Sequence, residues 1–177
     1  AKAPVPFRIT STCGQQISLP WIKNQPLDSP YSTFGVVGRM ALEVLLFRSL
    51  FRNTDAAIAD GKPVYSSAKW LWLFGLLFHW SFLIIVLRHL RFFVEPVIPC
   101  VATLSALDGF FEIGVPTLFL SDIAMAAGLA FLFGRRVIGP RLRYLSLFTD
   151  YFALLLIAAI ATTGLLMRHF YPADLLA

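Results

Sequence analysis

The chain has 177 residues, of which 58% are hydrophobic and only 14% are charged, with a mean hydropathy of +0.73. A water-soluble domain is typically about half apolar and about a quarter charged, so this chain has too little polar surface for a soluble globule. The net charge of +5 does not indicate nucleic-acid binding, because the basic residues are spread through the loops without interleaved aromatic residues. Composition therefore predicts a protein with lipid as part of its solvent and excludes a nucleic-acid partner.

The first 69 residues are predicted to consist of a loop and a surface helix. Residues 1–28 contain repeated prolines and lack the apolar core of a signal peptide, which predicts an extended loop. Residues 32–52 are predicted to form one helix, whose charged residues fall on two nearly opposite faces: Arg39 and Glu43 on one, Arg48 and Arg52 on the other. Two interpretations stay open, a helix lying at the membrane surface and a docking surface for a cytoplasmic partner.

Three apolar stretches, at residues 70–90, 113–133 and 150–170, are long enough to cross a bilayer, which takes about 20 residues. Residues 134–149, between the second and third stretches, carry four arginines and are predicted to be cytoplasmic by the positive-inside rule. The first span then runs outward, which also places residues 1–69 in the cytoplasm. The predicted fold class is an all-α, multi-pass helix bundle in the inner (cytoplasmic) membrane.

All three histidines, His79, His89 and His169, fall in the predicted spans. Ionisable residues are costly in lipid, so each is a candidate functional residue, against the alternative of a hydrogen-bonded packing residue. His79 and His89 lie ten residues apart on one helix, about 15 Å along its axis and about 80° around it. Because imidazole is a usual axial ligand of haem iron, this spacing suits two stacked haems, and the two histidines would not share one narrow face although both could look into a bundle interior. Neither Cys13 nor Cys100 lies in a C-x-x-C-H motif, which excludes covalent c-type haem.

The pairing of these ligands stays open, because each haem b needs two of them from facing helices. His89 and His169 both lie at the predicted outer end and could hold one haem between them, which leaves His79 without a partner. Either the inner haem is absent, or its second ligand lies in a segment not present in the chain. Arg88 and Arg91 flank His89 and are candidate partners of the haem propionates, with extension to the lipid headgroups as the alternative for one of them.

The segment LFHWSFLIIVLRHLRFFVEP resembles the haem-binding second helix of the respiratory nitrate reductase gamma subunit family, and the RRVIGPRLR loop matches that family's order of elements. The stretches PVPFRITSTCGQQISLPWIK and GVVGRMALEVLLFRSLFRNT are similar to those of the DsrM-type cytochrome b subunits of the sulfite-reduction-associated DsrMKJOP complex. The resemblance covers essentially the whole chain. It implies part of a larger bundle, with further helices before residue 1 and after residue 177, the last of which carries the opposing histidines.

The resemblance also implies a function. A subunit of this kind holds two b-type haems and exchanges electrons between menaquinone and a cytoplasmic iron–sulfur subunit of the heterodisulfide-reductase type, DsrK-like within DsrMKJOP. His79 would serve the inner haem and His89 the outer haem near the quinone, whereas the family requires no ligand at His169, which would then line the quinone pocket or bond a propionate. Residues 1–69 would form a cytoplasmic, partner-docking domain and residues 70–177 the haem-binding bundle.

A quinone site needs an apolar slot and a group that exchanges protons with the quinol. Asp122, in the second span, and Glu112, at its outer start, are the candidates at that depth. For Asp122 the alternatives are capping a helix turn or pairing with Arg88. Glu95 and Asp108 are predicted to be solvated loop charges.

The leading hypothesis is therefore a quinone-reactive cytochrome b subunit, an electron-transfer component of a membrane oxidoreductase complex. The serines and threonines are scattered and form no recognisable pair of nucleophile and base, so no covalent catalytic site is expected in the chain. One alternative is a gamma-type subunit of a nitrate or heterodisulfide reductase. The other is a haem-free membrane anchor that positions soluble subunits.

Overall fold

A computed structural model describes residues 27–28, 30, 32–59, 61–109 and 118–170. The chain divides into two compact units, Ala1–Leu73 and Phe74–Ala177, and each unit is described by itself. The predictions for Cys13 and Glu112, and for the start of the second span, fall outside the described residues.

The first unit contains two consecutive helices, α1 (Thr33–Leu46) and α2 (Arg48–Phe51). Phe47 lies between them in the left-handed conformation, with φ 48° and ψ 48°, which strains a residue other than glycine. Glu43 stabilises the break, because its carboxylate accepts hydrogen bonds from the backbone amide of Ser49 at 2.8 Å and from the Ser49 hydroxyl at 2.7 Å. The single helix predicted over residues 32–52 is therefore divided at Phe47.

This break gathers three arginines around Asp28. Arg48 Nη2 and Arg52 Nη1 lie 2.7 and 2.5 Å from Asp28 Oδ1, and Arg39 donates to the Asp28 carbonyl oxygen at 2.6 Å. Burial alone raises the pKa of Asp28, but the hydrogen bonds and positive charges of Arg48 and Arg52 outweigh it and hold the pKa below its ordinary value. Arginines that a straight helix would place on opposite faces thus meet at one acidic residue.

A two-stranded antiparallel sheet follows, formed by β1 (Thr54–Ala59) and β2 (Lys62–Ser67). Gly61 precedes β2 with φ 71°, a left-handed conformation that glycine adopts without steric cost. The Asp-Gly pair at positions 60 and 61 is a recognised hairpin signal, and the sequence prediction overlooked it. The hairpin is the only β element among the described residues. Apart from this hairpin, the regular elements of the described chain are helices, as the predicted all-α class requires.

Helices make up the rest of the described chain. α3 (Lys69–His89) starts in the first unit, where the Trp72 indole donates to the Leu46 carbonyl oxygen at 2.6 Å, and it continues into the second unit. A 3₁₀ turn at Leu90–Phe92 ends it. Four further helices follow: α4 (Pro99–Asp108), α5 (Leu120–Ile138), α6 (Pro140–Leu145) and α7 (Phe148–His169).

Two helical segments of the described residues, Lys69–Phe92 and Phe148–His169, are long and apolar enough to cross a membrane. They coincide with the predicted first and third spans. The predicted second span overlaps α5, which starts later, at Leu120, and carries three charged residues, Asp122, Arg135 and Arg136. α4 lies in the stretch between the first and second predicted spans, where Pro99 provides a favourable first helical residue.

α3 and α5 approach each other closely at Gly128. A methyl group in place of the Gly128 hydrogen would lie 3.0 Å from the Phe78 Cβ and 3.2 Å from the Phe74 carbonyl oxygen. The Phe74 ring stacks on the Phe131 ring with their centroids 4.2 Å apart. This contact brings the middle of α3 against the middle of α5, so the two helices form the interior of the second unit.

Candidate functional site

His79 and His89 have the same local geometry on α3. Nδ1 of His79 lies 2.7 Å from the Gly75 carbonyl oxygen, and Nδ1 of His89 lies 2.7 Å from the Ile85 carbonyl oxygen. Because a carbonyl oxygen only accepts hydrogen bonds, this contact places a proton on Nδ1, and in the neutral tautomer the lone pair is then on Nε2. A backbone carbonyl on the second ring nitrogen is the usual arrangement around a metal-ligating histidine. In that tautomer each residue could offer Nε2 to a metal ion, and the axial ligation of haem stays a prediction.

Both histidines lie on an exposed side of α3, with the exposed side chains of Phe82 and Val86 between them. Spacings of three, four and three residues keep these four side chains along one stripe of a helix. The histidines were expected to face the bundle interior. Among the described residues, the interior side of α3 instead presents Ser81 and Arg88, both buried.

Arg88 belongs to a buried group that joins three helices, here called the Arg88 cluster: Arg88 of α3, Asp108 at the end of α4 and Ser121 in the first turn of α5. Arg88 Nη1 lies 2.6 Å from Asp108 Oδ2 and donates to the Ser121 hydroxyl at 3.1 Å. Ser121 in turn donates its amide to Asp108 Oδ1 at 2.8 Å and its hydroxyl to Oδ2 at 2.5 Å.

The side chains of Arg88 and Asp108 are only 9% and 6% exposed. A buried ion pair is tolerated when further hydrogen bonds satisfy the carboxylate, and Ser121 supplies them. The same carboxylate also places a negative charge at the N-terminus of α5, where the helix dipole favours it. The Arg88 cluster therefore fixes the end of α3 that carries His89.

The ring of Phe119, just before α5, lies close to two guanidinium groups. The guanidinium carbons of Arg88 and of Arg168 from α7 lie 3.2 and 4.0 Å from the ring centroid, within the range of cation–π attraction. Asp122 interacts electrostatically with Arg88, Arg168 and His169. Nε2 of His169 is buried and has no hydrogen-bond partner within the described parts of the chain. Four helices thus bring charged groups together at one end of the bundle.

The structure places the two predicted site residues Arg88 and Arg91 in different environments. Arg91 is exposed beside the ring of Phe92, 5.1 Å from its centroid, whereas Arg88 is buried. The counter-ion of Arg88 is Asp108. The sequence had offered a direct ion pair between Arg88 and Asp122 as one alternative, and that pair is not formed. The prediction of Asp108 as a solvated loop charge was wrong, because this carboxylate is the buried partner of Arg88.

Sequence reasoning overlooked Ser121, Phe119, Arg168 and Gly128. The sequence contains one signal for the Arg88 cluster, since an arginine within an apolar helix needs a buried counter-ion. For Arg88, that rule predicts a carboxylate partner on another helix. The sequence contains 17 phenylalanines, and nothing in their pattern distinguishes Phe119 from the rest.

The described helices and the site define a helical, membrane-associated chain in which the first of the two membrane-length apolar helices carries two similarly hydrogen-bonded histidines. Residues 33–174 match the family described as "Nitrate reductase gamma subunit", and the chain belongs to this family, as the sequence predicted.

The chain is also similar to two proteins described as "Hdr-like menaquinol oxidoreductase cytochrome b-like subunit". It is 44% identical to the one from Archaeoglobus fulgidus over 100% of its length, and 43% identical to the one from Archaeoglobus profundus over 99%. The chain spans about half the length of these curated relatives, 54% and 53% respectively. No solved structure matches the chain.

Proposed function

We propose that the chain forms part of a membrane cytochrome b subunit that carries electrons between menaquinone and an iron–sulfur subunit. The observation that carries the proposal is the repeated geometry of His79 and His89 on a helix long and apolar enough to cross a membrane. Bound haem would supply one-electron transfer, while the chain supplies one axial nitrogen to each of two haems. Membership of the gamma subunit family and the description of the Archaeoglobus relatives support the same function.

In this proposal each of the two histidines binds a different haem along the electron path. His79 serves the inner haem, near the cytoplasm, and His89 serves the outer haem, about 15 Å away along the helix. The exposed stripe of α3 that contains both residues is the side available to the haems and to the helix that would carry the opposing ligands. His169 is assigned to the quinone end rather than to iron, because its buried Nε2 has no hydrogen-bond partner among the described residues and the residue interacts electrostatically with Asp122.

Menaquinone is proposed to react at the end of the bundle that contains His89. Asp122 and His169 are the groups there that can accept or release a proton, and Glu112 remains a further candidate from the sequence. Arg91, which is exposed beside His89, is the better placed of the two predicted propionate partners. Arg88 commits Nη1 to Asp108 and Ser121, although its buried Nε has no partner within the described residues.

Residues 1–69 are proposed to face the cytoplasm of a multi-pass inner-membrane protein and to dock the iron–sulfur subunit. Large apolar side chains are exposed along α1, including Phe34, Val37 and Val44. Exposed apolar surface of this kind is typical of interaction sites. A heterodisulfide-reductase-like partner agrees with the "Hdr-like" description of the relatives. The narrower assignment, a DsrM-type subunit working with a DsrK-like partner in sulfite reduction, is supported by the sequence resemblance.

The haem proposal is tested on the full-length protein purified with its partner subunits. The reduced-minus-oxidised optical spectrum is expected to show low-spin b-type bands, and His79→Ala and His89→Ala should each remove roughly one haem. His169→Ala is the matched control and should retain both haems. Full haem content in both α3 variants would refute the ligand assignment, and a wild-type protein without b-type bands would identify a haem-free anchor.

The quinone proposal is tested by the rate at which a menaquinol analogue reduces the haems. Asp122→Asn should slow this step at unchanged haem content, because the amide can no longer take up the proton. A rate equal to that of the wild type would remove Asp122 from the site. Identification of the iron–sulfur subunit that co-purifies with the complex then separates a DsrMKJOP subunit from a gamma-type subunit of a nitrate or heterodisulfide reductase.

A further inference from the structure

α3 is held against its neighbours by two different kinds of contact, and each contact lies beside one of the two histidines. Phe78, the residue before His79, packs against Gly128, where the backbones of α3 and α5 approach closely. Arg88, the residue before His89, is bound by Asp108 and Ser121 in the Arg88 cluster. The first contact depends on the absence of a side chain, and the second depends on charge and hydrogen-bond direction.

The histidine rings are coupled mechanically to the helix that carries them. Each ring is hydrogen-bonded through Nδ1 to a carbonyl oxygen four residues earlier on α3, at 2.7 Å in both cases. A shift or rotation of the local helix backbone therefore moves the ring with it. The imidazole plane and the direction of Nε2 then follow the position of α3 at that turn.

We propose that the two contacts are separate positioning devices, one for each axial histidine. Gly128 sets how closely α3 approaches α5 at Phe78 and so positions His79, whereas Asp108 and Ser121 fix the rotation of α3 at Arg88 and so position His89. This inference rests on the proposed haem function. It assigns to Gly128, Asp108 and Ser121 an effect on the cofactors although none of the three lies on the exposed stripe of α3.

The two devices should act locally because about three helical turns separate them. A methyl group at Gly128 meets the Phe78 Cβ at 3.0 Å, so α3 must move by a few tenths of an ångström at that turn. Loss of the Asp108 charge instead removes the counter-ion of Arg88, whose side chain is buried and has no other carboxylate hydrogen-bonded to it in the described residues. Each change is thus expected to disturb one histidine and leave the other in place.

The test uses the full-length complex and four variants in matched pairs. Gly128→Ala is paired with Gly134→Ala on the same helix, because a Cβ at Gly134 would meet no atom within 4 Å. Asp108→Asn is paired with Asp150→Asn, whose carboxylate belongs to a more exposed ion pair, 3.4 Å from Arg136. The readouts are the low-spin electron paramagnetic resonance signal and the reduction potential of each haem, assigned with His79→Ala and His89→Ala.

Gly128→Ala is expected to shift the g values of the His79 haem alone, and Asp108→Asn those of the His89 haem alone, while both control variants retain the wild-type signals. Ser121→Ala should shift the His89 haem in the same direction as Asp108→Asn, which keeps the test available if the aspartate variant fails to fold. Asp108→Glu should restore the signal at least in part.

Equal shifts of both haems in either variant would overturn the inference, and so would unchanged signals in a variant that is less stable. These outcomes leave the haem proposal intact, because they require two haems to be present. A wild-type complex with no haem would overturn both.

Discussion

Asp28 and Asp108 both bind arginine, but the arginines around Asp28 are more exposed to water than the arginine that pairs with Asp108. Asp28, in the first unit, accepts from Arg48 and Arg52, whose side chains are 20% and 46% exposed. Asp108, in the second unit, forms an ion pair only with Arg88 among the residues that the structure describes, and both side chains are almost fully buried. Positive charge exceeds negative charge around Asp28, whereas the Arg88–Asp108 pair is balanced one to one.

The physical reason for this difference is access to water. An exposed guanidinium keeps its hydration, so an additional arginine near Asp28 costs little. A buried charge loses its hydration and must be matched by a counter-ion and by hydrogen bonds, which Ser121 provides for Asp108. The comparison predicts that the same kind of substitution has very different effects in the two units.

The largest effect is expected for Arg88→Ala. Removal of one partner of a buried ion pair leaves the other charge unpaired and costs about 3–5 kcal/mol. The free energy of unfolding in detergent micelles measures the loss. Arg91→Ala is the matched control three residues later, and it should cost less than about 1 kcal/mol because Arg91 is exposed. Similar losses in the two variants would show that burial does not govern the Arg88 pair.

A smaller effect is expected for Asp28→Asn. The substitution removes the charge that Arg48 and Arg52 share but leaves those arginines hydrated, so the cost should be about 1 kcal/mol. The same unfolding measurement, repeated at high salt, should show a reduced difference, since exposed charges are screened. A loss as large as that of Arg88→Ala would contradict the comparison.

The pH dependence of the Asp28 contribution has a definite sign. The pKa of Asp28 is lower in the folded chain than its ordinary value, despite the opposing effect of burial, because Arg48 and Arg52 stabilise the carboxylate. The stabilisation is therefore complete above the unfolded pKa and is lost as the pH falls through the folded pKa. The difference in unfolding free energy between wild type and Asp28→Asn should be constant near neutral pH and shrink in acid. A difference that grows in acid would reverse this assignment.

The smallest effect is expected for Asp150→Asn. Arg136 and Asp150 lie 3.4 Å apart and are 34% and 40% exposed, so the pair is a weak surface interaction. Asparagine can still accept the hydrogen bond that Asp150 receives from the Leu147 amide at 3.0 Å. The change in unfolding free energy should be below about 0.5 kcal/mol. A loss of several times this value would mean that the pair is stronger than its geometry indicates.

Sequence patterns predicted the features of this chain that depend on local composition. Long apolar runs predicted the first and third spans, and the structure places apolar helices there. The prediction failed where distant contacts decide the conformation. The break at Phe47 depends on the capture of Ser49 by Glu43, and no propensity scale contains that contact. The hairpin that follows does have a local sequence signal, its Asp-Gly pair, which the sequence prediction overlooked.

In the candidate site, too, some residues were predicted from the sequence and others depend on contacts between helices. His79, His89, Arg88 and Asp122 were identified from the sequence, because polar residues in apolar helices are conspicuous. The burial of Asp108 could not be read from its own surroundings, since a carboxylate at the end of a short helix is ordinarily solvated. Its role depends on Ser121, which is 13 residues away, and on Arg88, which is 20 residues away.

By itself, the amino-acid sequence determined that the chain is a membrane protein and that two histidines share one apolar helix, because hydrophobicity and helical spacing are properties of the chain alone. The tertiary structure decided which side of α3 carries those histidines and which carboxylate neutralises Arg88. It also decided that Gly128 and Ser121 contact α3 at the turns beside the two histidines. These features depend on which helices meet, and helix packing is set by side chains that are far apart in the sequence.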